Sequence, residues 1–218
     1  KIMIASFKKL IKYFISSPEF IGSYSSFEDI DSYDDYDNNI VAKKYVNESF
    51  NDVLSKKNTS FSPGLSIIQN YLLEEKKQIK ILDFGGGIGT VYKFLFSQNL
   101  FSEKDLKIIL YETQNMISEI KDFVFKNNID MKMSFTTSLP KERFDIIYVG
   151  SSLQYFEDYK NILNYLCEHS DNIIMDDIPV SNKKTFANIQ LNLKPLRLSA
   201  WVFSENEMIN YFKKRNWK

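Results

Sequence analysis

Asp83 and Glu112 are the residues whose type and spacing best suit them to hold a small molecule. Asp83 follows the apolar run Ile79-Lys80-Ile81-Leu82 and precedes Phe84-Gly85-Gly86-Gly87-Ile88-Gly89-Thr90. Glycines at alternate positions, Gly85, Gly87 and Gly89, let a backbone turn sharply and approach a ligand with no Cβ in the way. Glu112 ends a second apolar run, Lys107-Ile108-Ile109-Leu110-Tyr111. It sits about as far downstream as the acid that grips ribose hydroxyls in nucleotide-binding α/β folds. A carboxylate suits that work because it accepts two hydrogen bonds from a cis-diol in parallel.

These residues need a strand, a tight turn and a helix to position them. Ile79 to Phe84 has the brevity and β-branched richness of a buried strand, and Val91 to Gln98 reads as the helix after it. That layout places a ligand at the switch point of an open α/β sheet. A dinucleotide fingerprint fails because Thr90 stands at its last glycine, and a P-loop fails for want of a lysine.

Alternation continues along the chain. Pro63 opens a helix carrying Leu65, Ile68, Tyr71 and Leu72, and Met116, Ile117, Ile120 and Val124 mark another. Met131 to Phe135 is the expected third strand and Arg143 to Gly150 the fourth. A helix with Ile162, Leu163 and Leu166 then leads to the fifth strand, Asn172 to Asp176. Glu205 to Arg215 reads as a last helix with Met208, Ile209 and Phe212 inward. The expected fold is α/β, a Rossmann-like, doubly wound and mainly parallel sheet over residues 62–218, preceded by a helical extension over residues 1–61. Within the extension, Lys1 to Ile15 forms a basic amphipathic face that either docks on this domain or a second subunit, as in a homodimer, or rests on an anionic membrane. Pro18 to Tyr36 is turn-rich and acidic, its charges suited to solvated loop and helix-cap positions, and Ile40 to Leu54 is helical.

Lys and Arg number 28 against 28 Asp and Glu over 218 residues, which argues against a nucleic-acid partner. With only Cys167 and His169 of their kinds, the chain can build neither a disulfide framework nor a Cys/His metal site, in keeping with a reducing cytoplasm. No apolar stretch reaches membrane-spanning length.

The acid-apolar-G-x-G-x-G pattern resembles motif I of the class I S-adenosylmethionine (SAM) methyltransferases. Phe144-Asp145-Ile146-Ile147-Tyr148-Val149-Gly150, followed by Ser151-Ser152-Leu153-Gln154-Tyr155, is similar to the segment that crosses the mouth of the site after strand four in that family. A narrower likeness covers roughly residues 18 to 217. Phe20 to Asp29 with Tyr33-Asp34, Leu82 to Tyr92, Ser151 to Tyr155, Asp176-Asp177-Ile178-Pro179 and Ile189-Gln190 resemble, in order, short motifs of a bacterial methyltransferase family associated with surface-polysaccharide (capsule or LPS) synthesis. This chain has Asp177 where an arginine is common in that family. The resemblance implies SAM as cofactor, with S-adenosylhomocysteine as product. It would be held by Asp83, Phe84, Gly85, Gly86, Gly87 and Gly89 at the turn, by Glu112 and Thr113 at the ribose, and by Gly150, Ser151 and Ser152 at the mouth. Ser138 and Leu139 would edge the adenine, in a loop lacking the acid that many relatives carry there. The chain reaches Asn216-Trp217-Lys218 where the family begins its last antiparallel strand pair, so either that pair is expected to be missing or the fold departs from the pattern there.

Methyl transfer to a neutral hydroxyl calls for a general base within hydrogen-bond reach. His169 falls in a turn at the amino-terminal edge of the sheet, away from the ligand side. Asp176, Asp177 and Tyr155 are the candidate catalytic groups, and alternation lets at most one of the two aspartates face the site if the strand continues. An acceptor that is already acidic, such as a phosphate-type oxygen, would need no base. Gln154, Tyr155, Gln190 and Arg197 are the candidate acceptor-binding residues, with no metal. The expected activity is O-methylation of a small or carbohydrate-linked acceptor in the cytoplasm, and the alternative is a non-catalytic SAM-fold binding subunit. A protein or nucleic-acid acceptor would instead call for a basic groove or an Asn-Pro-Pro-like loop where Ser151 to Gln154 stand.

Overall fold

The computed structural model describes residues 20–31, 33–34, 36–54, 62–74, 78–98, 106–191 and 196–217. The basic segment Lys1 to Ile15 lies outside the described residues. In chain order the elements are β1 (Phe20–Tyr24), α1 (Asn39–Leu54), α2 (Pro63–Glu74), β2 (Ile79–Phe84), α3 (Thr90–Ser97), β3 (Leu106–Tyr111), α4 (Gln114–Lys126), β4 (Ser134–Thr136) and β5 (Ile146–Gly150). A 3-10 turn (Leu153–Tyr155), α5 (Tyr159–His169), β6 (Ile173–Asp176), β7 (Val180–Ser181), β8 (Phe186–Gln190), β9 (Leu198–Ser204) and α6 (Glu205–Lys213) follow.

Five parallel strands form the main sheet in the order β4-β3-β2-β5-β6. The order reverses at β2, whose carboxyl end is therefore the switch point, and β2 is buried on both faces. Its odd-numbered residues Ile79 and Ile81 pack with Leu65, Ile68 and Leu72 of α2 and Val91, Phe94 and Leu95 of α3. Its even-numbered residues Leu82 and Phe84 pack on the other side with Leu163 and Leu166 of α5. Two-residue alternation thus sends Asp83 to the α3 face.

The structure departs from expectation at the edges. The third strand starts three residues late, at Ser134, and Met131 and Met133 pack as partly buried side chains instead. The leading segment is not purely helical: Phe20–Tyr24 is a strand paired antiparallel with β8. β8 pairs antiparallel with β9, and β9 pairs parallel with β7, closing a second sheet in the order β1-β8-β9-β7. The antiparallel pair β8–β9, within residues 186–204, precedes α6 and lies outside the main sheet. On α6, Met208 and Phe212 pack against the core as expected, whereas Ile209 points to solvent. Among the described residues, no helix is long and apolar enough to cross a membrane, and no group of His, Cys, Asp or Glu could hold a metal ion.

Candidate functional site

The glycine turn is built by contacts within the chain. Gly85 has φ +61°, donates its N–H to the Tyr111 carbonyl at 2.9 Å, and leaves no room for a Cβ beside the Ser152 side chain. Ser152 in turn donates its hydroxyl to the Phe84 carbonyl at 2.7 Å. A Cβ on Gly86 would overlap the Asp83 carboxylate. The turn therefore presses β2, β3 and the segment after β5 together at one point.

Asp83 and Glu112 behave differently. Asp83 is fully buried, and its Oδ2 accepts the Val91 N–H at 3.0 Å, anchoring the first turn of α3. Its Oδ1 is buried with no hydrogen-bond partner. Glu112, 4% exposed, accepts the Gly87 N–H at 3.0 Å on Oε1 and the Thr113 N–H at 2.7 Å on Oε2. Burial raises both carboxyls to about 7; the backbone donors pull the other way, and neighbouring negative charge (Glu112 on Asp83, Asp37 on Glu112) adds to the rise. Each Glu112 oxygen accepts one backbone N–H, and a carboxylate oxygen can accept a second hydrogen bond.

Glu112 borders a cavity of about 380 Å³ at the switch point, together with Gly85, Tyr111, Thr113, Gln114, Thr137, Ser152, Tyr155 and Phe156. That is within the size range of small-molecule sites. Tyr36 and Asp37 supply the remaining wall from the segment before α1. Asp37 fastens this segment to α4: its Oδ1 accepts the Asn115 N–H at 3.1 Å, and its carbonyl accepts from the Asn115 amide at 2.9 Å. Asp34 fastens it to the second sheet, exchanging backbone and side-chain hydrogen bonds of 2.7 and 2.8 Å with the Arg197 backbone. Tyr36 stacks on Tyr155 with ring centroids 4.8 Å apart.

Of the candidates read from the sequence, Gly85, Glu112, Thr113, Ser152 and Tyr155 line this cavity. Asp83, Phe84 and Gly86 sit beneath the turn, with the Phe84 ring stacked on Tyr111 at 4.9 Å. Gly87 and Gly89 continue the turn, the first through its bond to Glu112 and the second with φ +84° as it enters α3. Thr137 borders the cavity, while neighbouring Ser138 is engaged by Thr136 and Leu139 packs on the core. Gly150 ends β5, and Ser151 donates its N–H to the Asp176 carbonyl at 2.9 Å.

Asp176 is turned to a structural task. Its Oδ2 accepts from the Ser62 hydroxyl, from the Gly64 N–H at 3.1 Å and from the Tyr148 hydroxyl at 3.3 Å, so it caps the amino end of α2. Asp177 takes φ +53°, which breaks strand alternation after Asp176; its side chain is exposed and does not line the cavity. Tyr155 donates to Gln190 Oε1 at 2.7 Å, and burial raises its pKa. Gln154 donates to the Ser151 carbonyl and hydroxyl at 2.9 and 3.1 Å. Arg197 is exposed and meets Asp34 through its backbone. His169 sits at the end of α5 with Nδ1 2.8 Å from the Tyr165 carbonyl, outside the cavity. The candidate residues read from the sequence did not include the lining residues Tyr36, Asp37, Tyr111, Gln114, Thr137 and Phe156. The tyrosines interleaved with the aspartates between Ser32 and Asp37 were the available signal, since a solvated loop has no need of them.

No protein-family model and no curated protein matches the chain. Solved structures do. The 1,6-didemethyltoxoflavin-N1-methyltransferase of Burkholderia thailandensis, bound to 1,6-didemethyltoxoflavin and S-adenosylhomocysteine, is 13% identical with a TM-score of 0.50, covering 85% of this chain and 81% of its own. A SAM-dependent methyltransferase from Clostridium acetobutylicum ATCC 824 is 12% identical with a TM-score of 0.48, covering 76% and 84%. At that identity the first likeness is one of fold. The chain has the Rossmann-like architecture of the class I methyltransferases.

Proposed function

We propose that this chain is a SAM-dependent methyltransferase that transfers a methyl group to an oxygen of a small or carbohydrate-linked acceptor, in the cytoplasm and in the setting of bacterial surface-polysaccharide synthesis. The observation that carries the reading is the buried Glu112 carboxylate at the end of β3, hydrogen-bonded to the glycine turn and bordering the switch-point cavity. The polysaccharide setting rests on the motif resemblance alone.

The residues fit the cofactor. Glu112 would accept from the ribose hydroxyls, while Thr137 and the rings of Tyr111 and Phe156 would border the rest of the nucleoside. The chemistry the cofactor supplies is an electrophilic methyl group on a sulfonium sulfur. Holding an acceptor in line with such a methyl is worth roughly 7–11 kcal/mol. Tyr36 and Tyr155 are the side chains that would orient the acceptor and exclude water. Neither phenol suits a base near neutral pH, because burial raises both. Of the three base candidates read from the sequence, Asp177 alone is exposed and uncommitted to α2 or to Gln190, so it is the one proposed to take the acceptor proton.

Calorimetric titration with SAM and S-adenosylhomocysteine, with NAD as control, tests the cofactor. Binding of the first two alone is expected, and binding of NAD alone or of none of them overturns the reading. Asp177→Asn should then lower turnover while S-adenosylhomocysteine affinity stays at the wild-type value. The commitment of Asp176 and Tyr155 to other partners favours a second reading, a non-catalytic binding module. Cofactor binding without methyl transfer to any acceptor would select it.

A further inference from the structure

A second cavity of about 380 Å³ lies across the Tyr36–Tyr155 stack from the first, sharing those two side chains as a common wall. The segment before α1 supplies Phe27, Tyr33 and Asp34; Glu157 and Ser199 face them from the loop before α5 and from β9. Its charged lining residues are Asp34 and Glu157, and among the described residues no Lys or Arg lines it.

Behind Tyr155 runs a buried row of further acceptors. The Tyr155 hydroxyl bonds Gln190 Oε1, and the Gln154 amide lies against that hydroxyl. Asn188 lies two residues before Gln190, on the same face of β8. Gln154 is 4% exposed and Asn188 2%, yet Gln154 Oε1 and Asn188 Oδ1 are both buried without a hydrogen-bond partner. Both oxygens lie in the packed layer behind the wall, and neither Gln154 nor Asn188 lines the cavity itself.

We propose that this second cavity is the acceptor compartment and that it takes a molecule rich in hydrogen-bond donors and free of negative charge. The two lining carboxylates, Asp34 and Glu157, reward hydroxyl or ammonium donors, and the lining rings of Phe27, Tyr33 and Tyr36 suit an apolar ring or a cation. An anion entering the same space meets Asp34 and Glu157, and among the described residues no Lys or Arg lines the cavity to answer it, which disfavours the acidic, phosphate-type acceptor weighed from the sequence. That the occupant is a methyl acceptor rests on the methyl-transfer reading; that it binds does not.

The test varies charge on one skeleton. Glucose, glucosamine and glucose 6-phosphate are titrated into the full chain without cofactor, by ligand-observed NMR in the millimolar range. Glucose or glucosamine should bind at least about tenfold tighter than the phosphate. Whichever of the two binds tighter identifies hydroxyls or an ammonium as the donors. The double variant Asp34→Asn, Glu157→Gln should narrow the gap, and raising ionic strength should narrow it in the unaltered chain. The salt series keeps the question open to measurement if the variant does not fold. Equal or tighter binding of the phosphate, no binding of any of the three, or a gap that ignores both the variant and salt overturns the proposal. An S-adenosylhomocysteine titration on the same sample separates the two readings. A chain that binds no S-adenosylhomocysteine but keeps the charge discrimination loses the methyl-transfer reading and keeps this one.

Discussion

Glu112 Oε1 accepts the Gly87 N–H at 3.0 Å, so the acid that ends β3 is tied to the turn that ends β2. The bond brings a charge-bearing group and the glycine turn to one cavity rim from positions 25 residues apart. It also fixes the carboxylate before any ligand arrives, which lowers the ordering cost of binding.

Glu112→Ala should weaken S-adenosylhomocysteine binding by about 1.5–3 kcal/mol, the range for hydrogen bonds to a charged group. Isothermal titration reads this directly. An affinity equal to that of the unaltered chain would remove Glu112 from the ligand.

The ligand-free chain should lose stability as pH rises from about 4 to about 7. Asp83 and Glu112 move from ordinary values of 3.8 and 4.5 to about 7 in the fold. Between those values the folded state holds more protons than the unfolded state, so the unfolding free energy falls with pH. The contribution is complete below the ordinary values and gone above about 7. Melting temperatures across this interval should decline, and Asp83→Asn should flatten the decline. A profile unchanged by that substitution would show that Asp83 titrates alike in both states.

Asp176→Ala should cost about 0.5–2 kcal/mol, the range for loss of a helix cap, because it frees Gly64 N–H and the Ser62 hydroxyl at the start of α2. Urea denaturation measures the loss. Affinity for S-adenosylhomocysteine should not move, and a variant of full stability but reduced turnover would return Asp176 to the chemistry.

Gly85→Ala should destabilise by more than about 1 kcal/mol, since φ is +61° and the new Cβ runs into buried Ser152. Pairing it with Ser152→Gly tests the mechanism. Relief in the double variant shows that the Ser152 contact carries part of the cost, and simple additivity assigns the whole of it to the backbone.

The sequence by itself determined the strand-turn-helix at Ile79–Ser97, the parallel sheet and the placing of Glu112 at the end of β3. Those features rest on local patterns: short β-branched runs, alternate glycines and helical stripes whose periods are set by backbone geometry. Tertiary structure alone decided what Asp83 and Asp176 do. Two-residue alternation turns Asp83 toward α3, where Val91 N–H waits, and the β5–β6 register brings Asp176 beside the start of a helix more than a hundred residues earlier. It also decided that Tyr36 and Asp37 wall the site, because Asp37 meets Asn115 and Asp34 meets Arg197 across distant parts of the chain. An aspartate in a turn carries the same local signature whether it faces water or caps a helix from another layer. Only the packing of those layers distinguishes the two.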